Sequence, residues 1–216
     1  MSMVNNTPAN PLLVIGAGGH ARVVIDVARA AGYDPVAALD PASVGAVCNG
    51  VEVIGGDDLA DSMFGKGLRQ AVVAIGDNAL RSTIGKRLRD IGFTLPVIVH
   101  PSAILSLSAR IGDGTVIMPL AVVNAAATIG TMVIVNSSAV IEHDCKIGDG
   151  AHIAPGCRLG GTVSVGIETL IGIGSVVRPE AKIGDHAVVG AGSTVIGNIE
   201  GDSVATGSPC KAWRSR

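Results

Sequence analysis

The run Ile141-Glu142-His143-Asp144-Cys145 sets an imidazole between two carboxylates, the residue types on which general acid–base chemistry depends. A histidine there can take a proton from an attacking amine or hydroxyl, and Asp144 or Glu142 can hold its ring and stabilise its charged form. Neighbours on an extended strand point apart, so either carboxylate reaches the ring only if the chain bends at this point. A solvated histidine between two acids is the other reading of the same five residues. Eighteen residues further on stands Gly161, whose N–H no side chain shields. If residues eighteen apart stack, that N–H lies one layer above His143, where it can stabilise an oxyanion while the base works below. Otherwise Gly160-Gly161 is simply another corner.

A second candidate lies near the start of the chain. Gly16-Ala17-Gly18-Gly19-His20 joins a short apolar stretch, Leu12 to Ile15, to a helical pattern over Ala21 to Ala31. Backbone N–H groups in such a turn can approach an anion, and a helix N-terminus favours phosphate. The motif stops short of G-x-G-x-x-G, because Ala21 takes the third glycine's place, so a merely tight turn is the plainer reading. Asp40 closes the next apolar stretch about twenty residues after the glycines, where an acidic group meets a ribose or base in such folds. It reads equally well as a turn aspartate before Pro41.

The elements that must position these groups follow from periodicity. From Ile111 to Val195 every sixth residue is a branched aliphatic, through Ile117, Val123, Ile129, Val135, Ile141, Ile147, Ile153, Leu159, Val165, Ile171, Val177, Ile183 and Val189. A period of six fits neither a helix nor simple strand alternation and marks a solenoid of hexapeptides, three faces of six making one coil of eighteen. Two residues before most of these aliphatics the chain is small (Ala121, Ala127, Ala139, Cys145, Ala151, Cys157, Ala187), as a narrow interior requires. Glycine often follows the aliphatic, as at Gly112, Gly130, Gly148 and Gly166, where it is expected to supply tight or positive-φ corners. The first hundred residues instead alternate strands (12–15, 36–39, 51–54, 71–75, 96–99) with helices (21–31, 57–62, 78–91), implying a small parallel sheet with its ligand crevice at the carboxyl ends of the strands. The turns there are Gly16 to His20, Asp40 and Gly76-Asp77-Asn78. Two domains are expected: residues 1–100, a small α/β domain, and 101–216, a β-helix with a C-terminal extension.

Composition excludes several classes. A net charge of −2 with scattered Lys and Arg gives no basic stripe for nucleic acid, and aromatics are only 2%, which a prism of stacked aliphatics tolerates. No apolar run reaches the length of a membrane span and the N-terminus lacks a signal-peptide pattern, so a cytoplasmic protein is expected. Cys48, Cys145, Cys157 and Cys210 lack metal-ligand spacing and are read as reduced thiols, two of them in the interior column. His143, His152 and His186 are not separated by multiples of eighteen, which disfavours a three-histidine metal site, and no metal is expected.

Val14-Ile15-Gly16-Ala17-Gly18-Gly19-His20-Ala21-Arg22-Val23-Val24, Ala74-Ile75-Gly76-Asp77-Asn78, Val99-His100-Pro101-Ser102-Ala103, Ile141-Glu142-His143-Asp144-Cys145 and Gly207-Ser208-Pro209-Cys210-Lys211 together resemble the sialic acid O-acetyltransferase family. Within it the chain is most similar to the bacterial nucleotide-sugar N-acetyltransferases that acetylate a 4-amino-4,6-dideoxy sugar. The resemblance implies a left-handed parallel β-helix, a homotrimer with active sites between subunits, acetyl-CoA as donor, and a place in O-antigen biosynthesis. It implies His143 as general base, Asp144 as its partner and the Gly161 N–H as oxyanion donor. It also assigns His152, Ile173, Ala191 and Lys211 to the coenzyme, and Gly18, Gly19, His20, Asp40, Gly76 and Asn78 to the sugar nucleotide. Ala191 departs from the glycine common in the family, and Arg22 stands where lysine is common, keeping charge but not phosphate geometry. GDP-perosamine is the leading acceptor and UDP-linked 4-amino sugars the runner-up; O-acetylation of a sialic acid and a non-catalytic binding scaffold are the alternatives.

Overall fold

The computed structural model describes residues 10–215. The reading of the extreme N-terminus concerns residues 1–9, outside the described residues. Strand β1 (Pro11–Ile15), helix α1 (Gly19–Ala30), β2 (Asp34–Leu39), β3 (Val47–Cys48), β4 (Val51–Gly55), α2 (Ala60–Gly65), β5 (Gln70–Val73) and α3 (Asn78–Ile91) build the first part. The sheet order is β3-β4-β2-β1-β5, parallel except for the β3–β4 pair, a short antiparallel hairpin that the apolar pattern did not announce. Helix α1 buries Ala21, Val24, Ile25, Val27 and Ala28 on one stripe. Helix α3 starts where the Asp77 carboxylate accepts the Leu80 N–H at 2.8 Å, and ends at Gly92 with φ 115°.

The second part is a three-sided parallel β-helix. Its first face carries rungs at Ile98–Val99, Val116–Ile117, Ile134–Val135, His152–Ile153, Leu170–Ile171 and Val188–Val189, and ends with Ser203–Thr206 and the antiparallel Lys211–Ser215. The second carries Ile104–Leu105, Val122–Val123, Val140–Ile141, Arg158–Leu159, Val176–Val177 and Thr194–Val195. The third carries Arg110–Ile111, Thr128–Ile129, Lys146–Ile147, Ser164–Val165 and Lys182–Ile183. Rungs pair eighteen residues apart, as in Val122↔Val140↔Arg158. The last coil is shorter, with Val188 opposite Val204. Every aliphatic of the six-residue column from Ile117 to Val195 is buried, and the small column, including Cys145 and Cys157, fills the axis between them.

Two expectations need correction. The 96–99 stretch supplies no strand to the α/β sheet: Ile98–Val99 pairs with Val116–Ile117 and is the first rung of the coil. The glycines after the aliphatics also do not make the positive-φ corners. Those fall two residues later, at Gly114, Leu120, Ala126, Met132, Ser138, Asp144, Gly150, Gly156, Thr162, Glu168, Gly174, Glu180, His186 and Gly192. Gly112, Gly130, Gly148 and Gly166 are there for space. A Cβ on Gly148 would come within 2.7 Å of the Gly166 carbonyl carbon and the Ile167 nitrogen of the next coil.

The α/β part lies on the outward side of the first face. Ile98, Val116 and Ile134 point away from the prism yet are buried, the first two in one cluster with Leu12, Val14 and α1. Helix α3 approaches the coil at Gly85, where a Cβ would meet Met132 Sδ at 2.7 Å, and Met132 is buried with Leu88, Phe93 and Leu95. No helix among the described residues is long and apolar enough to cross a membrane.

Candidate active site

The chain bends at His143 because Asp144 adopts left-handed backbone geometry, φ 60°. The bend folds the aspartate back onto its neighbour, and Asp144 Oδ2 stands 2.8 Å from His143 Nδ1. Glu142, the other candidate partner, is turned away and accepts from Asn124 Nδ2 at 2.9 Å. With Asp144 taking Nδ1–H, the tautomer that satisfies the pair leaves Nε2 unprotonated and able to accept. Both side chains remain more than half exposed. One coil above, Gly161 lies against the ring, and a Cβ there would be 2.5 Å from Nε2. Thr162 N–H donates to the His143 carbonyl at 2.8 Å, locking the two corners in stack, while the Gly161 N–H meets no acceptor among the described residues.

The glycine turn also has a defined shape. Gly16 has φ 104°, and a Cβ there would be 3.0 Å from the Ala74 carbonyl oxygen, so the turn presses against the end of β5. Asp40 braces it: one carboxylate oxygen accepts from Ala17 N–H at 2.8 Å and the other from Ala42 N–H at 2.9 Å. Gly18 is the N-cap of α1, with no side-chain cap and no acidic residue in the first turn, so the helix N-terminus faces the space beside it. That space is a cavity of about 510 Å³ at the carboxyl ends of β1, β2 and β5, lined among others by Gly16, Gly18, Gly19, His20, Asp40 and Gly76. Asn78 is not part of that lining. Its amide donates to the Glu168 carbonyl at 2.9 Å and its oxygen accepts from Arg81 at 2.8 Å, which places it at the seam with the coil.

At the coil-side end of the cavity His20 and His152 come together, ring centroids 6.3 Å apart. Asn136 Nδ2 is 3.0 Å from His152 Nε2, and His20 Nε2 is buried without a hydrogen-bond partner. Burial, and after it the charge of Arg81, pushes His20 down to about 4 and His152 to about 3, so both imidazoles are neutral at neutral pH. Burial raises the Cys145 and Cys157 thiols above their ordinary range, which disarms them as nucleophiles.

The remaining coenzyme candidates lie elsewhere. Ile173 and Ala191 stack at the corner between the first and second faces, where Gly192 N–H donates to the Ile173 carbonyl at 2.8 Å, and both are exposed. Lys211 opens the last strand and is exposed. His143 and Gly161 occupy the corner between the second and third faces, so a single copy holds the two sets on opposite edges of its second face. Sequence reasoning missed Arg81 and Asn136. Arg81 had left a signal: it falls three residues before Ile84 and seven before Leu88, on the apolar stripe of α3, where an arginine requires partners. Among the described residues no group of three or more His, Cys, Asp or Glu could hold a metal ion.

A coiled hexapeptide prism with a base and an open N–H on adjacent corners, joined to a glycine-turn cavity, defines an acyltransferase of the hexapeptide class. The comparisons with known proteins agree. Residues 11–88 match the PglD N-terminal domain and residues 126–161 the bacterial transferase hexapeptide (six repeats). The chain is similar to a histidine-to-asparagine mutant of perosamine N-acetyltransferase from Caulobacter crescentus, solved in complex with CoA and GDP-perosamine. The TM-score is 0.93 and the identity 39%, over 96% of this chain and 98% of that one. It is also similar to the acetyltransferase domain of PglB from Neisseria gonorrhoeae, with a TM-score of 0.90 and 38% identity over 94% and 100% of the two chains. UDP-N-acetylbacillosamine N-acetyltransferase of Bacillus subtilis is 36% identical over 110 residues, 49% of this chain, and the match spans 50% of that relative's length. The chain belongs to the family of bacterial nucleotide-sugar N-acetyltransferases, whose β-helix is left-handed.

Proposed function

We propose that this protein transfers an acetyl group from acetyl-CoA to the C4 amine of a nucleotide-linked 4-amino-4,6-dideoxy sugar, with GDP-perosamine as the leading acceptor. The observation that carries the reading is the His143 corner, with Nδ1 tied to Asp144 and Nε2 against Gly161. In the reaction the amine nitrogen attacks the thioester carbonyl carbon while His143 Nε2 removes its proton. The oxyanion that forms is stabilised by the Gly161 N–H, and collapse breaks the C–S bond and releases the coenzyme thiol, which recovers the proton from His143. Asp144 holds the imidazole in the accepting tautomer and offsets its charge once protonated. Neutral, buried Cys145 offers no acetyl relay, so transfer is direct.

The cavity by the glycine turn suits the nucleotide, with its pyrophosphate at the α1 N-terminus and the base and ribose near Asp40. His152 then belongs with His20 at the sugar end of that cavity as much as with the coenzyme. The relative from Caulobacter crescentus was solved with CoA and GDP-perosamine, which favours the guanosine acceptor. The uridine-linked acceptor is the second reading, favoured by the Bacillus subtilis relative.

The catalytic assembly is a homotrimer with sites between copies. The outward second face carries Ile104, Val122, Val140, exposed Arg158, Val176 and then Thr194, with Ile104 65% exposed, a mainly apolar strip interrupted by one arginine that another copy would cover. Packing there brings the His143 corner of one copy beside the Ile173 and Ala191 corner of the next. Steady-state turnover of acetyl-CoA with GDP-perosamine, UDP-linked 4-amino sugars and sialic acid tests the acceptor, and absence of turnover with every amino sugar would overturn the assignment. Mixed trimers of His143→Asn and Gly18→Val chains test the shared site: activity returns if base and acceptor cavity come from different copies, and stays lost if they come from one.

A further inference from the structure

Arg81 is the largest fully buried side chain among the described residues, 1% exposed, and the reaction above makes no use of it. From α3 its guanidinium donates in two directions. Toward the cavity it reaches the carbonyls of Ile75 at 3.0 Å and Gly76 at 3.1 Å, both in residues that line the nucleotide space. Toward the coil it reaches the carbonyls of Met132 at 2.8 Å and Gly150 at 2.6 Å, at two stacked corners between the third and first faces. Asn78 Oδ1 takes a further N–H at 2.8 Å. A fork of fixed geometry that binds both walls of one seam sets the distance between them, which a flexible ammonium cannot do.

We propose that Arg81 is a positioning residue for the acceptor: it fixes the Ile75–Gly76 wall of the nucleotide cavity against the β-helix, so that the sugar end of a bound nucleotide sugar meets the coil at a set height. The charged and titratable groups around it come from four elements: Asp77 before α3, Glu168 on the coil, His20 on α1 and His152 on the first face. Burial disfavours its charged form and the two carboxylates oppose that, while burial first and the guanidinium second lower both histidines. His20 Nε2, buried and without a partner at the cavity's edge, is thereby kept as an uncharged hydrogen-bonding group for a sugar or ribose hydroxyl.

The proposal rests on the acceptor reading above, and its test has one arm that does not. Arg81→Lys, which keeps the charge and loses the fork, and Arg81→Met are compared with wild type as full-length protein. With GDP-perosamine and acetyl-CoA, Arg81→Lys is expected to raise the acceptor KM and lower kcat, together by about 10²-fold in kcat/KM, the scale of an ångström's misplacement, and to leave the acetyl-CoA KM unchanged. Without any substrate, NMR titration of the histidine Cε1–H signals is expected to show His20 and His152 moving upward in Arg81→Met and staying low in Arg81→Lys. A loss of melting temperature with unchanged acceptor KM and unmoved titrations would reduce Arg81 to structural cement and overturn the proposal. Should Arg81→Met fail to fold, an unchanged acceptor KM in Arg81→Lys overturns it alone. If wild type acetylates no nucleotide sugar but the titrations shift as expected, the acceptor reading has failed and the electrostatic role has not.

Discussion

Gly161→Ala separates the chemistry of the site from the stability of the fold. A Cβ at this position would stand 2.5 Å from His143 Nε2 and 2.6 Å from Cε1, whereas ordinary contact begins near 3.4 Å. The ring must therefore retreat by about 1 Å, a misplacement worth about 10² in rate, or about 2.7 kcal/mol of barrier. Folding loses almost nothing. Gly161 is not in the left-handed region, and the His143 side chain is 60% exposed and held only by the exposed Asp144, so stability is expected to change by no more than about 0.5 kcal/mol. Gly148→Ala is the mirror experiment. There the Cβ meets the backbone of Gly166 and Ile167 at 2.7 Å, and backbone cannot swing aside, so the melting temperature falls while activity per folded molecule persists. Calorimetry and a thiol-release assay, run on both variants, read the two effects. Near-normal kcat in Gly161→Ala with an unchanged melting temperature would refute the idea that the His143 ring, seated against Gly161, is the base that takes the amine proton.

The other expectations follow from the same coordinates. His143→Asn should lower kcat by about 10² to 10⁴ with smaller changes in either KM, and Cys145→Ala should keep most activity; parallel double-reciprocal lines with a stable acetyl adduct by mass spectrometry would contradict direct transfer. Gly18→Val points its side chain into open space from an ordinary φ of −75°, so the fold should survive while the acceptor KM rises far more than that for acetyl-CoA; equal rises would move the acceptor out of the cavity. Ile153→Asp buries an unpaired carboxylate on the axis, a cost of several kcal/mol, and soluble protein with unchanged melting would show the interior phase to be wrong. His20 and His152 hold about 4 and about 3 in the folded chain against about 6.5 unfolded, so the unfolded chain binds more protons in acid. The stability they contribute is full above about pH 6.5 and drains away, by up to about 8 kcal/mol in all, as pH falls through those folded values; calorimetry should find a shallower slope in His20→Gln.

The coil was legible because its rule is local: one aliphatic in six, read against a prism that admits only small groups beside it, fixes the phase of every residue from Ile117 to Val195. The same rule set His143 beneath Gly161, and the cavity groups Gly18, Gly19, His20, Asp40 and Gly76 fell where a parallel sheet ends. What escaped depends on relations the period does not contain. The left-handed corners lie two residues beyond the glycines, and several are held by residues as unlike as Leu120, Met132 and Glu180, because each corner N–H donates to the coil below, to a carbonyl at Met132 and Glu180 and to Ser102 Oγ at Leu120, which outweighs the side chain's own preference. Asp144, rather than Glu142, meets the histidine only because it occupies such a corner. The seam escaped entirely. Arg81 finds its acceptors on Met132 and Gly150, 51 and 69 residues away, and no spacing rule links a helix in one domain to a carbonyl in the next.

The position of that seam bears on how the proposed site would be divided between copies. The outward column of the first face runs Ile98, Val116, Ile134, His152, Leu170, Val188, and the α/β part covers its early members completely. His152 stands where the apolar cover gives way, so the cavity's polar end opens there, next to Asn136 and toward the corner that leads to Ile173 and Ala191. The base lies one face further round the prism. A rigid prism cannot bend to close that gap, so under the proposed assembly an acceptor in the cavity of one copy would be met by the His143 of a neighbour. In the proposed trimer, rotation about a three-fold axis would supply what bending cannot, because it would set the second-face corners of neighbouring copies side by side. The strip of Ile104, Val122, Val140 and Val176, with Arg158 set among them, lies between the two corners, so the contact that would hold the copies together would also complete the reaction centre.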